Sequence, residues 1–144
     1  MKNKIIFICT GNSCRSQIAE GLFRDEAGDK FEVYSAGSHP SRLHPAAIKV
    51  MTEWDIDIQK QKSEKIDKYL NKGINVVITV CDNAKSTCPN FPDGKIIIHW
   101  SIKDPFHGWN DHEKDLEPYR MARNEIKEKI KDLLQGNEIK KFII

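Results

Sequence analysis

The run Cys9, Thr10, Gly11, Asn12, Ser13, Cys14, Arg15, Ser16 has the residue types and spacing of a loop that holds a tetrahedral oxyanion, with Cys9 as a thiolate nucleophile. A strand-to-helix turn with a small residue at Gly11 lets successive backbone N–H groups point inward as an anion nest, and the N-terminus of the following helix adds its partial positive charge. Arg15 offers a planar fork to two oxygens of the anion. The same field is expected to lower the pKa of Cys9 and to keep it a thiolate near neutral pH. The hydroxyls of Ser13 and Ser16 can bond the sulfur or the loop, and Asn12 tolerates the left-handed torsions that would hold the turn. Cys14 reads as a packing or supporting residue. A zinc site at Cys9 and Cys14 is the weaker reading, because no histidine stands at a suitable spacing.

Positioning these groups takes a strand that ends at Cys9 and a helix that begins at about Ser13. Strands are expected over 4–8, 31–35, 74–80 and 95–99, all continuous β-branched or aromatic runs of the kind covered on both faces in a parallel sheet. Ile18, Ala19, Leu22, Phe23 and Ala27 mark one face of the first helix, which Gly28 terminates. Ala47, Ile48, Met51 and Trp54 mark a second, with Pro45 in its first turn. Ile66 and Leu70 suggest a short third, and Leu116 to Leu133 a long last one closed near Gly136. The fold class is therefore α/β: one domain over residues 1–144, an open, mostly four-stranded parallel sheet with helices on both faces. Ligands of such sheets sit beyond the carboxyl ends of the strands. Cys9 and Cys81, far apart in sequence, both fall at that edge.

The 144 residues carry 23 basic and 21 acidic side chains, a net charge of +2, which gives no reason to invoke nucleic acid or a membrane surface. No apolar run approaches the roughly 20 residues of a membrane span, and the N-terminus lacks the pattern of a signal peptide. The chain is expected to be cytoplasmic, where thiols stay reduced, so its four cysteines are read as reactive or ligating rather than structural. His39, His44, His107 and His112 are read as surface or turn residues. Trp100, Phe106 and Trp109 are read as walls of the pocket or as core. Residues 141–144 are read as packing on the sheet edge or on a partner.

The eight-residue loop resembles the phosphate-binding loop of the low-molecular-weight protein tyrosine phosphatase fold, and most closely that of the thioredoxin-coupled arsenate reductases built on it. The resemblance runs along nearly the whole chain, through Ser35-Ala36-Gly37, Ile56-Asp57-Ile58, Asp104-Pro105, Cys88-Pro89 and His99-Trp100. It implies reduction of arsenate, with phosphate or sulfate as analogues, by a monomer that uses thioredoxin as reductant. Cys9 would be the nucleophile, Cys81 and Cys88 the resolving thiols of a disulfide relay, Arg15 the oxyanion clamp and Asp104 the general acid. It further implies a potassium ion near Asn12, Glu20, Ser35 and Glu64. Glu64 departs from the aspartate often found there, and Glu20 reads equally well as a solvated charge on an exposed helix face. Two other readings stand beside it: a phosphatase that uses Cys9, Arg15 and Asp104 alone, and a module that only senses an anion. Gln17, where the phosphatase branch usually has proline, favours the reductase together with Cys81 and Cys88.

Overall fold

A computed structural model describes residues 2–89, 91–92, 94 and 96–143. Four parallel strands form one sheet in the order β2-β1-β3-β4: β1 is Asn3–Cys9, β2 Phe31–Gly37, β3 Val76–Thr79 and β4 Ile96–His99. Ile5, Ile6, Phe7 and Ile8 are all fully buried, as an unbroken apolar run requires when both faces of a central strand are covered. Helices lie on both faces of this open sheet. In register, Cys9 sits opposite Gly37, Ile8 opposite Thr79 and Thr79 opposite His99. The carboxyl ends of all four strands thus meet at one edge, which Cys81 joins just beyond β3.

Helix α1, Arg15–Ala27, packs against β1, β2 and the long α4, Glu117–Gln135. Cys14 stands at the N-cap of α1 without a side-chain cap, so its first-turn N–H groups are left to the loop. Helix α2, Pro45–Thr52, stops short of Trp54, because Asp55 turns the chain through a positive φ of 59°. Trp54 instead takes the Arg123 guanidinium 3.9 Å above its ring. The helix expected at 66–70 is a single 3₁₀ turn, Ile66–Tyr69. Helix α3, Asp82–Thr87, fills a stretch for which the sequence allowed a turn or a short helix. The last helix, α5, is Lys140–Ile143; Phe142 packs against the core and its carbonyl accepts from Asn3 Nδ2 at 3.2 Å. Residues 95 and 144, included in two of the sequence expectations, lie outside the described residues. No helix among the described residues is long and apolar enough to cross a membrane.

His44 corrects the reading of the histidines as surface groups: it is 0% exposed. It caps α2, its Nδ1 accepting from the Ala46 N–H at 2.9 Å, so Nε2 carries the proton and donates to the Gly108 carbonyl at 2.8 Å. The sequence hid this because an N-cap histidine before proline looks like any turn residue. Burial, helped by nearby Arg42, pushes the His44 pKa below the ordinary histidine range, against the pull of the Gly108 carbonyl, Asp104 and Asp111. The unfolded chain binds that proton near pH 6.5, and the folded chain only at lower pH. Stability from this group is therefore full above about pH 6.5 and falls as the pH drops below it, by at most about 1.4 kcal/mol per pH unit for one proton. His44→Asn, which caps without titrating, is expected to flatten that acid-side slope in denaturant titrations at pH 7.5, 6.5 and 5.5. An unchanged slope would locate the titration elsewhere.

Candidate active site

The loop from Thr10 to Ser16 is held from outside by its carbonyls. Thr10 O accepts from His39 N at 2.9 Å, Gly11 O from Ser41 N at 3.0 Å, and Ser13 O from His44 N at 2.9 Å. Asn12 O accepts from the buried Gln17 Nε2 at 2.9 Å, which also donates to Lys62 O at 3.0 Å. With these carbonyls bonded outward, the peptide N–H groups between them are left for the inner side of the loop, an arrangement that suits an anion. The left-handed torsion falls on Asn12, at φ 45°, and not on Gly11. Asparagine tolerates this, and its side chain is tied down by giving to Ser16 Oγ at 2.8 Å and Ser35 Oγ at 3.0 Å and accepting from Glu64 N at 2.8 Å.

Gly37 closes the back of the loop. A Cβ there would lie 2.5 Å from Thr10 O and 2.9 Å from Asn12 N, and both are backbone. Gly37→Ala is expected to cost about 1–3 kcal/mol of stability from overpacking. By displacing the loop, it is also expected to weaken inorganic phosphate binding at least about tenfold. Calorimetric titration with phosphate checks this, and native affinity in the variant would show that the loop tolerates the shift.

Cys9 ends β1, 3% exposed, with Ser16 Oγ 2.9 Å and the Asn12 N–H 3.1 Å from its sulfur. Because Asn12 already donates to Ser16 Oγ, the Ser16 hydroxyl proton is free to point at the sulfur. These are the donors the sequence suggested, yet the net effect differs from the expectation. Burial pushes the Cys9 thiol up, and the Ser16 bonds and the Arg15 charge pull it down by less; nearby Cys81 pushes it further up. The sequence showed the donors but not the desolvation that opposes them. Burial likewise pushes Cys14 up.

Arg15 begins α1 and reaches across the site, giving Nη1 to Ile102 O at 2.8 Å with Nη2 3.9 Å from Asp104 Oδ2. Asp104 therefore sits at the mouth of the loop, exposed, its other oxygen accepting from Phe106 N at 3.0 Å. It is at once a turn cap and a carboxyl group facing the Arg15 guanidinium. Phe106 and Trp109 pack on His44 beside it, partly exposed, whereas Trp100 is core, its ring on Phe7 at 6.0 Å.

Cys81 is brought to the same edge. Its sulfur caps α3, accepting from Ala84 N at 3.4 Å, and lies 3.5 Å from Thr10 Oγ1. Asn83 Nδ2 donates to that same threonine oxygen at 2.8 Å, a link no sequence pattern suggested. Cys88 stands at the other end of α3, half-buried, its thiol pushed up by burial. All four cysteines are free thiols. Behind the loop, Glu20 is 8% exposed rather than solvated, and accepts from Ser35 Oγ at 2.5 Å and from Arg24.

A family model described as low molecular weight phosphotyrosine protein phosphatase matches residues 4–142. An arsenate reductase of Halalkalibacterium halodurans is 42% identical over 130 residues, which cover 90% of this chain and 94% of that one. A solved structure of an arsenate reductase in the phosphate binding state has a TM-score of 0.74 and 35% identity, over 94% of this chain and 98% of that one. A thioredoxin-dependent arsenate reductase of Corynebacterium glutamicum has a TM-score of 0.68 and 26% identity, over 94% of this chain and 64% of that one.

Proposed function

The chain belongs to the low molecular weight phosphotyrosine protein phosphatase family, and within it we propose that this protein reduces arsenate to arsenite through a relay of Cys9, Cys81 and Cys88. The observation that carries the reading is the second thiol at the loop: Cys81, 3.5 Å from the hydroxyl of Thr10, the residue next to the nucleophile. Hydrolysis of a phosphate ester has no use for it. Reduction needs it, because two electrons must leave as a disulfide.

Arsenate enters the cage of N–H groups, and Arg15 trades its hold on Ile102 for two arsenate oxygens. A buried thiol facing a dianion is one proton transfer away from a thiolate facing a monoanion, so Cys9 attacks arsenic as its proton passes to the oxyanion. Asp104 gives a proton to the departing oxygen, which leaves as water. Cys81 then attacks Cys9 Sγ. The S–S bond forms, the As–S electron pair stays on arsenic, and arsenic(V) leaves as arsenite. Cys88 attacks Cys81 Sγ, freeing Cys9 and leaving a Cys81–Cys88 disulfide for an external dithiol. The similarity to a thioredoxin-dependent reductase supports thioredoxin as that dithiol.

The last exchange demands a change of shape. Seven residue steps of helix separate Cys81 from Cys88, about 10 Å along the axis, while a disulfide needs Cα atoms within about 7 Å. Helix α3 must unwind for the disulfide to form.

Incubation with arsenate, thioredoxin, its reductase and NADPH, beside an aryl phosphate, tests the reading. Arsenate-dependent NADPH consumption is expected. Aryl phosphate hydrolysis without it would select the phosphatase reading, which the Arg15–Asp104 pair favours, and anion binding without turnover the sensing module.

Asn12, Glu20, Ser35 and Glu64 gather behind the loop, linked by Asn12 Nδ2 to Ser35 Oγ, Ser35 Oγ to Glu20 and Glu64 N to Asn12 Oδ1, and the oxygen-bearing side chains of Glu20, Ser35 and Glu64 line a cavity of about 390 Å³. Such hard donors suit potassium, but Arg24 already holds Glu20 and donates to the Val33 carbonyl at 2.8 Å. We propose that potassium and the Arg24 guanidinium compete for Glu20. Arg24→Gln is expected to gain a potassium-specific rise in Tm over sodium that the native chain lacks; equal responses of the two proteins would end the proposal.

A further inference from the structure

We propose that His99 is a positioning residue for the thiol relay, fastening α3 in its helical dithiol form through Asp82. This rests on reading Cys81 and Cys88 as a redox pair, and not on arsenate being the oxidant that fills it.

His99 ends β4, opposite Thr79 in register. Its Nδ1 lies 2.7 Å from Thr79 Oγ1 and its Nε2 2.9 Å from Asp82 Oδ1. A carboxylate only accepts, so Nε2 carries a proton and donates it; a neutral ring then accepts the Thr79 hydroxyl at Nδ1, and every group in the chain is satisfied. Thr79 is buried and the His99 side chain is 19% exposed, whereas that of Asp82 is 79% exposed. The His99 bond, and after it one from Ser101, holds the Asp82 carboxyl below its ordinary range. Asp82 is the first residue of α3 and follows Cys81 directly. His99 also lines a groove with Cys88 and Pro89. The end of an edge strand therefore bonds the first turn of the short helix whose two flanking residues are the thiols, and the thiol at the far end of that helix shares a groove with the same histidine.

None of the contacts of Cys9, Arg15 or Asp104 described above involves His99, so the oxyanion chemistry gives this chain of bonds no purpose. The balance between helical and unwound α3 does. When Cys81 and Cys88 join, two S–H bonds break, one S–S bond forms, and two electrons and two protons pass to the oxidant. Because α3 unwinds in that step, the His99–Asp82 bond belongs to the dithiol form and opposes oxidation. It thereby raises the reduction potential of the pair and makes its disulfide readier to hand on.

The test uses the full chain carrying Cys9→Ser and Cys14→Ser, which leaves two of its four cysteines, equilibrated in buffers of graded dithiothreitol redox poise. The Cys81–Cys88 disulfide is scored by alkylation and mass. His99→Phe keeps the ring volume and loses both hydrogen bonds. It is expected to shift the equilibrium about tenfold toward the disulfide, a potential lower by about 30 mV. Asp82→Ala is expected to shift it the same way, and Asp82→Asn, which still accepts from Nε2–H, to keep most of the native value. Adding His99→Phe to Asp82→Ala is expected to change nothing further, since the bond is already gone. A potential unmoved by His99→Phe overturns the proposal. So does an equal shift with and without Asp82, because damage to β4 packing would act in both backgrounds. If no Cys81–Cys88 disulfide forms at any poise, the redox-pair reading falls and takes this proposal with it.

Discussion

Cys88→Ser is expected to release about one arsenite per chain and then stop, with Cys9 and Cys81 joined in a disulfide. Nothing in the first half of the proposed relay involves Cys88: the loop holds the anion, Cys9 attacks, and Cys81 already stands against Thr10. The variant should therefore match the native burst. What it lacks is the thiol that moves the disulfide outward. Cys9 and Cys81 are each 3% exposed, and thiol exchange needs access to the sulfur attacked, so an external dithiol does not reach the trapped bond. Steady-state turnover is expected to fall on the order of 10³-fold or more, in line with losing one member of a set that acts as a unit. The checks are arsenite released per chain in the first turnover and the mass of a Cys9–Cys81 peptide pair. Sustained thioredoxin-driven turnover would sink the relay.

Cys9→Ser is expected to lose all chemistry at the loop, arsenate reduction and any aryl phosphate hydrolysis together, by about 10⁴-fold or more. A serine hydroxyl in that buried place is far harder to ionise than a thiol, and it cannot join a disulfide. The cage itself should survive. Its N–H groups and outward-bound carbonyls do not involve the sulfur, apart from the Asn12 N–H at 3.1 Å. Phosphate affinity within about threefold of native is the expected control, a free-energy change under ~1 kcal/mol. Activity retained in the variant would mean that the nucleophile lies elsewhere, whatever the loop binds.

Much of this arrangement could be read from the residues because the decisive signals are local. The strands announce themselves as apolar runs, and a cysteine, an arginine and serines spaced along one turn describe their own chemistry. What could not be read are effects that come from packing at a distance. The outward bonds of the loop come from His39, Ser41 and His44, some thirty residues on. The burial of Glu20 depends on Ser35 and Arg24 meeting around it. His44 looked like a turn residue because its cover, Phe106, Trp109 and Tyr119, arrives from the far end of the chain. The upward push on Cys9 is likewise an effect of burial in the folded chain. Donors are visible in sequence, whereas desolvation belongs to the fold.

The tethering of the loop carbonyls also bears on speed. Since His39, Ser41, Gln17 and His44 bond them from outside the loop, the cage is shaped by the protein's own bonds, and an arriving anion is expected to have no segment to order. Capture is then expected to be limited by encounter, by the anion shedding its water and by Arg15 turning from the Ile102 carbonyl, so the association rate should rise with anion concentration without a plateau set by loop closure. In the proposed relay the slow motion is expected instead at α3, after the oxyanion has reacted. An anion that cannot be reduced leaves as freely as it came.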